Sequence, residues 1–395
     1  MKSSQRISHL TGGGSDGWDV FYRARRMKAA GQPVIELTIG EHDIRTAPDI
    51  LAAMDAAARA GHTGYASVPG TDALRKAVAT RIATRTGVAT GPENILITPG
   101  GQAGLFAAAM ATLDPGDRAL FVDPYYVTYP GTLRAAGGVP VPVAARPEHA
   151  FQPQAADLAV VAPDARVLLV NSPNNPTGAV YDAATLADIA GVVTDHDLWL
   201  ISDEVYDTQV WEGEHLSPRA LPGMADRTLV VGSMSKSHAM TGSRIGWVCG
   251  PEEIIVEMIN LATHTTYGVP GYIQDAATFA LGQGETPEEA VAAPFRRRRA
   301  ITARLVAGQN VVRAAPMQGA MYAMLDIRAT GLSGEGFANA LLDAERVAVM
   351  PGESFGAAAA GHVRVALTVD DAAFEDALGR LLRFAAARAG AVSPA

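Results

Sequence analysis

From about residue 94 to residue 260, short apolar runs alternate with longer segments whose apolar residues recur at helical spacing. The runs fall at 95–98, 119–122, 139–143, 167–170, 198–202, 228–231 and 245–249, each bounded by polar or turn-forming residues. Runs this short and this uniformly apolar read as strands buried on both faces. Alanine- and leucine-rich stretches such as 102–113 and 183–195 lie between them and read as helices. The alternation predicts an α/β fold with a mostly parallel sheet covered by helices. Beyond residue 300 the texture changes, with the runs 320–326, 347–349 and 362–367 mixed among helical segments. That pattern predicts a smaller α+β domain, joined by the N-terminal stretch to about residue 45. The expected division is a large domain at 46–295 and a small domain made of 1–45 and 296–395.

Composition narrows the picture without redirecting it. A chain of 395 residues exceeds a comfortable single core, and 48% hydrophobic with 18% charged residues is ordinary for a globular protein. A formal charge of −9 argues against nucleic acid or an anionic membrane as partner. The one basic run, Arg296-Arg297-Arg298-Arg299, lies in a helix-like stretch without aromatics and reads as a solvated or inter-domain helix face. Cys249 is the only cysteine, which excludes an intrachain disulfide, and its apolar surroundings suit a small buried hydrophobe. No stretch has the look of a signal peptide or the length of a membrane span, so a cytoplasmic location is expected. Nine histidines and one cysteine show no ligand spacing, and no metal is expected.

In a mostly parallel sheet, ligands bind outside the carboxyl ends of the strands, so the residues following each run carry the chemistry. Lys236 follows the run 228–231 within Ser233-Met234-Ser235-Lys236-Ser237, with Arg244 eight residues on. Its amine suits a Schiff base with an aldehyde cofactor, while Ser233, Ser235 and Arg244 suit that cofactor's phosphate. Pro99-Gly100-Gly101-Gln102 leads into a helix, where backbone N–H groups can meet an anion. Asn171-Ser172-Pro173-Asn174-Asn175-Pro176-Thr177-Gly178 is too elaborate for an ordinary turn and offers the amide of Asn175. Asp203-Glu204-Val205-Tyr206 puts a carboxylate at the end of a buried strand, which is costly unless paired; a protonated ring nitrogen would serve, and so would a role as helix cap.

Taken in order, these segments resemble the fold-type I pyridoxal-phosphate enzymes, and among them the class I/II aminotransferases. The resemblance spans nearly the whole chain, from Gly40-Glu41-His42-Asp43 and Tyr65 with Gly70 through to Val363-Arg364-Val365. Within the family, 18–23, 196–199, 213–218, 221–227 and Tyr267-Gly268 look most like the bacterial arginine–pyruvate transaminases. The resemblance implies pyridoxal 5′-phosphate held by Lys236, which would also move a proton during the reaction. It implies that Asp203 pairs with the ring nitrogen, that Asn175 and Tyr206 bond the phenolic oxygen, and that Tyr126 lies over the ring. Gly101 and Gln102 would meet the phosphate through backbone, with Ser233, Ser235 and Arg244 through side chains. Tyr65 would reach the phosphate of a neighbouring subunit, which makes the expected unit a homodimer. Arg364 would grip the substrate α-carboxylate, with Gly40 and Asn175 beside it. The expected reaction moves an amino group from an L-amino acid, arginine-like or neutral, to a 2-oxo acid such as pyruvate.

Some residues depart from the family pattern or point elsewhere. Proline is usual where His42 stands, and tryptophan is common where Ser243 stands. Gln102 takes a position where related aspartate transaminases carry a lysine for the distal carboxylate, which disfavours a dicarboxylic substrate. Asp16, Asp19 and Glu41 are candidates to attract a cationic side chain, or are plain surface carboxylates. His264 lies in a segment that can reach a neighbouring site, with a buried structural histidine as the simpler reading. A β-lyase, a cyclopropane-forming synthase or an aspartate-type aminotransferase would use the same lysine, aspartate and arginine. Gly352-Glu353-Ser354-Phe355-Gly356 satisfies the serine-hydrolase elbow, but only a short alanine stretch follows where a full helix is required, and His362 falls directly before another strand-like run. A regulator built on the same fold would need a basic DNA-binding module, and no stretch of this sequence reads as one, so that role is not expected.

Overall fold

The computed structural model describes residues 1–15 and 17–392, so Asp16 lies outside the described residues. Among those described, twelve strands form two sheets. The first strand, β1 (Ile35–Leu37), is remote in sequence from the strands it joins. β2 (Ile95–Thr98), β3 (Arg118–Asp123), β4 (Val139–Ala144), β5 (Ala165–Asn171), β6 (Trp199–Asp203), β7 (Thr228–Ser233) and β8 (Gly246–Cys249) form a seven-stranded sheet. Its order is β2-β8-β7-β6-β5-β3-β4. β9 (Arg313–Ala314), β10 (Tyr322–Asp326), β11 (Val347–Pro351) and β12 (His362–Ala366) join β1 in a five-stranded sheet, ordered β1-β11-β12-β10-β9. Each of the seven expected runs is a strand of the larger sheet.

Successive residues of a strand face opposite sides, so runs without alternation need cover on both faces. Leu200 packs with Leu120, Leu168 and Ile189 on one side. Its neighbour Ile201 packs with Leu105, Ala108 and Phe121 on the other. The helix Ala183–Asp195 begins at Asp182, whose carboxylate accepts from the Thr185 amide at 2.8 Å. The helix Gly101–Thr112 has no side-chain cap, which leaves its first N–H groups open to a ligand.

One strand runs against the rest. β8 is antiparallel to both β2 and β7. Its leading residues therefore lie among the carboxyl ends of its neighbours, and Arg244 arrives there. The approach is close: a Cβ on Gly246 would stand 2.8 Å from backbone atoms of Gly100, Gly101 and Gly232, so only glycine fits.

In the smaller sheet β1 pairs in parallel with β11, Ile35 opposite Val347, which docks the N-terminal stretch on the C-terminal part. Helix Thr286–Ala307 crosses residue 295, the expected domain boundary, and buries Val291 and Phe295 in the core of the smaller sheet. The basic run on this helix is not simply solvated. Arg298 is 2% exposed and bonds Asp43, Asp371 and the Leu367 carbonyl. Arg296, Arg297 and Arg299 pair with Glu289, Asp371 and Glu212 nearer the surface. Cys249 is buried in β8, and that burial pushes its thiol up to about 11.

Candidate active site

The carboxyl ends of β2, β5, β6 and β7 meet the strand β12 and residues 39–41 around a cavity of about 370 Å³. Gly40, Gly101, Gln102, Tyr126, Asn175, Asp203, Tyr206, Ser233, Ser235, Lys236, Arg244 and Arg364 all line it. Residues far apart in sequence are thus brought together, and Tyr65 alone of the expected set stays outside. On the single chain Tyr65 is 92% exposed and lies edge-on to Tyr267, ring centroids 5.1 Å apart.

Lys236 sits in the one-turn helix Met234–Ser237 that follows β7. Its Nζ donates to the carbonyl of Gly40. Burial, then the neighbouring charge of Arg364, hold the amine down at about 8, with Glu41 pulling it up and Arg244 adding to the depression. An amine so placed keeps a usable fraction unprotonated near neutrality, as a nucleophile or base requires.

Asp203 closes β6, in register with Asn171 on β5 and Val231 on β7. It is 4% exposed and no cation pairs with it among the described residues. Tyr129 Oη donates to its Oδ2 at 2.6 Å, and the Val205 amide reaches Oδ1 at 3.3 Å. Burial nevertheless raises the carboxyl to about 6, against the pull of those two bonds. A buried carboxylate in that state awaits a positive partner.

Arg364 projects from β12 and is 1% exposed. Its guanidinium carbon lies 4.3 Å from the ring centroids of both Tyr322 and Phe355. Nη1 donates to Asn175 Oδ1 at 2.8 Å and Nη2 to the carbonyl of Thr38, while Nε has no partner. Burial lowers its pKa below the arginine norm. All its acceptors are neutral, so the charge is uncompensated by any carboxylate among the described residues.

Hydroxyls and amides complete the lining. Tyr206 Oη and Tyr322 Oη are 3.0 Å apart, and Asn175 Nδ2 reaches Tyr322 Oη at 3.5 Å. Burial raises Tyr206 well above the tyrosine norm and Tyr126 to about 12, so both stay protonated donors. Ser233 Oγ lies 3.0 Å from Ser235 Oγ and caps the lysine's turn through the Ser235 amide at 3.1 Å. Arg244, at φ 52° in the left-handed region, bonds the Thr241 carbonyl at 2.9 Å. A Cβ on Gly100 would meet its Nη2 at 2.5 Å. Glycine backbone, an uncapped helix N-terminus, two serines and an arginine form a donor set that fits a phosphate. Pyridoxal phosphate, with an aldehyde, a basic ring nitrogen and a phosphate, fits the groups present.

Gln102 behaves differently from a substrate-reading side chain. Its Nε2 donates to Thr132 Oγ1 at 2.8 Å and its Oε1 accepts from Thr128 Oγ1 at 2.9 Å. A larger cavity of about 1040 Å³ opens alongside and shares Trp18, Gln102 and Arg244 with the first. Asp19 lines the larger cavity and Glu41 the smaller. His264, expected to be buried, is instead exposed on the single chain, where its Nδ1 bonds the Asn260 carbonyl at the end of helix Glu252–Thr263. Ser354 lies in a single 3-10 turn, and His362 turns its Nδ1 to the Ala360 carbonyl, so no triad forms. That glycine-flanked turn delivers Phe355 to the face of Arg364 instead. Among the described residues no cluster of metal-ligating side chains occurs, and no helix is long and apolar enough to cross a membrane.

Sequence reasoning missed Tyr129, Tyr322, Trp18 and Thr38. A tyrosine inside an apolar stretch signals that its hydroxyl needs a partner, which marks Tyr322 without saying what it bonds; Tyr129, between Thr128 and Pro130, carries no such signal.

Comparison with known proteins agrees with this geometry. The pattern of the aminotransferase class I and II family matches residues 32–381. The arginine–pyruvate transaminase of Pseudomonas aeruginosa is 42% identical over 98% of this chain and 98% of its own. The aspartate/prephenate aminotransferase of Thermus thermophilus is 37% identical over 91% of this chain and 93% of its own. A solved aspartate aminotransferase of Thermus thermophilus superposes with a TM-score of 0.91 at 35% identity, covering 97% of this chain and 100% of that one.

Proposed function

The chain belongs to the class I and II aminotransferases, enzymes that use pyridoxal 5′-phosphate, and from that premise we propose that Lys236, Asp203 and Arg364 carry its transamination. The observation behind the assignment is convergence: a depressed amine, an unpaired carboxyl and an uncompensated guanidinium line one cavity.

The cofactor, when bound, supplies an electron sink for the pair left at the substrate Cα. Every other task falls to the chain. Arg364 would grip the α-carboxylate through N–H groups of its guanidinium, against which the rings of Tyr322 and Phe355 pack. Lys236 would hold the cofactor through its amine, and the same amine, when free, would take the proton from Cα. Asp203, ionised by a cationic neighbour and aimed by Tyr129, keeps the ring nitrogen protonated. Tyr206 and Asn175 donate to the phenolic oxygen, Tyr126 covers the ring, and Gly101, Gln102, Ser233, Ser235 and Arg244 hold the phosphate. Tyr65 reaches a neighbouring subunit in a homodimer, and the protein works in the cytoplasm. The two-domain division at 46–295 against 1–45 with 296–395 accompanies this reading.

For the substrate, an arginine-like or neutral amino acid with pyruvate as acceptor is supported by the Pseudomonas relative's activity and by the cavity. Its lining cations, Lys236, Arg244 and Arg364, all have tasks, and Gln102 is uncharged and tied to two threonines. A second carboxylate would find no free cation there, whereas Glu41 and Asp19 favour a positive side chain.

The test is the absorbance of the protein loaded with pyridoxal phosphate, titrated with arginine, alanine and aspartate and then with pyruvate. Arginine should bleach the yellow band and pyruvate should restore it. A band that survives Lys236→Ala unchanged would sink the site assignment; bleaching by aspartate alone would sink the substrate assignment.

A further inference from the structure

The segment 38–46 passes over the site and meets Lys236 twice. The carbonyl of Gly40 accepts from the lysine Nζ, and His42 Nε2 lies 3.1 Å from the same lysine's carbonyl oxygen. That oxygen belongs to the last residues of a helix one turn long, Met234–Ser237, where carbonyls lack a following turn to bond. His42 and Gln209, whose Nε2 is also at 3.1 Å, supply the missing donors from side chains.

A carbonyl can only accept, so the imidazole donates through Nε2. Its Nδ1 is buried with no partner, which is the condition of a neutral ring. The ring packs edge-on to Phe295 of helix Thr286–Ala307, centroids 5.3 Å apart, which fixes its orientation. Burial, then the lysine's own charge, hold His42 down at about 4, with the bond to the Lys236 carbonyl and the charge of Asp43 opposing. The charged groups acting on the lysine amine are Arg364, Glu41 and Arg244, and His42 adds none.

We propose that His42 is a positioning residue for Lys236: its neutral Nε2–H fixes the lysine's main chain and so holds the amine in its buried place. The inference rests on Lys236 being the cofactor lysine. It makes the low amine pKa a product of the strap as well as of the arginines. Losing that hold lets the ammonium reach water and raises its pKa.

The readout is the rate at which the apoprotein captures pyridoxal phosphate, followed by absorbance as a function of pH, since only the free amine reacts. For the wild type the midpoint should lie near 8. His42→Ala should raise it by about one unit, slowing capture at neutral pH by about tenfold. His42→Gln, which keeps an amide donor and comparable bulk, should stay within about twofold of wild type. An unchanged midpoint in a folded His42→Ala protein overturns the proposal, and so does a Gln variant that shifts as far as Ala. Should the alanine variant not fold, 15N spectra of the wild-type apoprotein decide: a neutral Nε2–H ring at pH 7 supports the proposal, and a charged or Nδ1–H ring overturns it. Lys236→Ala serves as the separate control. If it still forms the yellow band, the parent assignment fails; if it does not while His42→Ala behaves as wild type, only the role of His42 fails.

Discussion

Around Arg298, where helix Thr286–Ala307 runs between the sheets, a buried guanidinium meets the carboxylate of Asp43 at 2.5 and 2.9 Å and that of Asp371 at 2.9 Å. Around Arg364, on β12, an equally buried guanidinium meets an amide oxygen, a backbone carbonyl and two aromatic faces, and no carboxylate. The two residues share chemistry and burial and differ in whether their charge is answered. A charge left unanswered in a cavity is destabilising by itself, so the fold tolerates it only where a ligand completes it. Asp203 extends the contrast: its neighbours are hydroxyl and amide donors rather than a cation, and its carboxyl is pushed up to about 6. The region around Arg298 is complete by itself; on the proposed reading, the region around Arg364 is completed by substrate and cofactor.

The largest effect should come from Arg364→Leu. Removing one partner of a buried ion pair costs roughly 2–5 kcal/mol, so kcat/KM should fall roughly 30- to 5,000-fold. Melting of the apoprotein should not drop, because an uncompensated charge has been removed. Steady-state kinetics beside a thermal melt reads both, and a variant that melts early but keeps its kcat/KM would invert the contrast.

Asp203→Asn is next. In the folded apoprotein the carboxyl titrates near 6, above the 3.8 of an unperturbed aspartate. As pH rises from the lower to the higher value, the unfolded chain loses its proton first, so the folded state loses stability across that window. At pH 7 the loss amounts to roughly 3 kcal/mol, and the asparagine variant should recover it above the window and show no gain below it. Denaturation of both apoproteins on either side of the window checks the sign. Arg298→Met should do the opposite, costing about 2–3 kcal/mol at neutral pH, near the low end for a broken buried pair because water reaches Asp43 and Asp371. Urea curves would show it, and a stabilised variant would mean that Arg298, too, waits for a ligand.

This contrast was only half legible in the sequence. The seven strands of the large sheet were, since a central strand covered on both faces has to be a continuous apolar run, and only the edge strand β4 shows that run partly exposed. Lys236 and Asp203 stood out too, one just beyond such a run and the other at its end, whereas Arg364 was marked only by the family resemblance. β1 was not: three residues, Ile35–Leu37, carry no period, and their strand exists only through pairing with β11. Tyr129 and Tyr322 read as strand or helix residues, because which face a side chain takes depends on register. Arg298 was hidden among four consecutive arginines. Helical geometry turns one inward and three outward, and nothing in the run marks which. Ser354 shows the reverse failure, a motif whose spacing matched while its fold context did not.

The smallest effect concerns where the strap leaves the site. Thr46 Oγ1 donates at 2.7 Å to the carbonyl of Ala239, itself in the left-handed region at φ 51°. This bond ties the strap to the loop just after Lys236, on the finished side of the contrast: donor and acceptor are both satisfied and neither lines the cavity. Thr46→Val should therefore cost about 1 kcal/mol in a urea curve. It should leave the pH midpoint of cofactor capture where it is. A shift as large as that expected for His42→Ala would mean that the strap acts on the lysine as one rigid piece. The amine's pKa would then be set by how tightly the segment is tied at its end, and not by the imidazole that bonds the lysine's main chain.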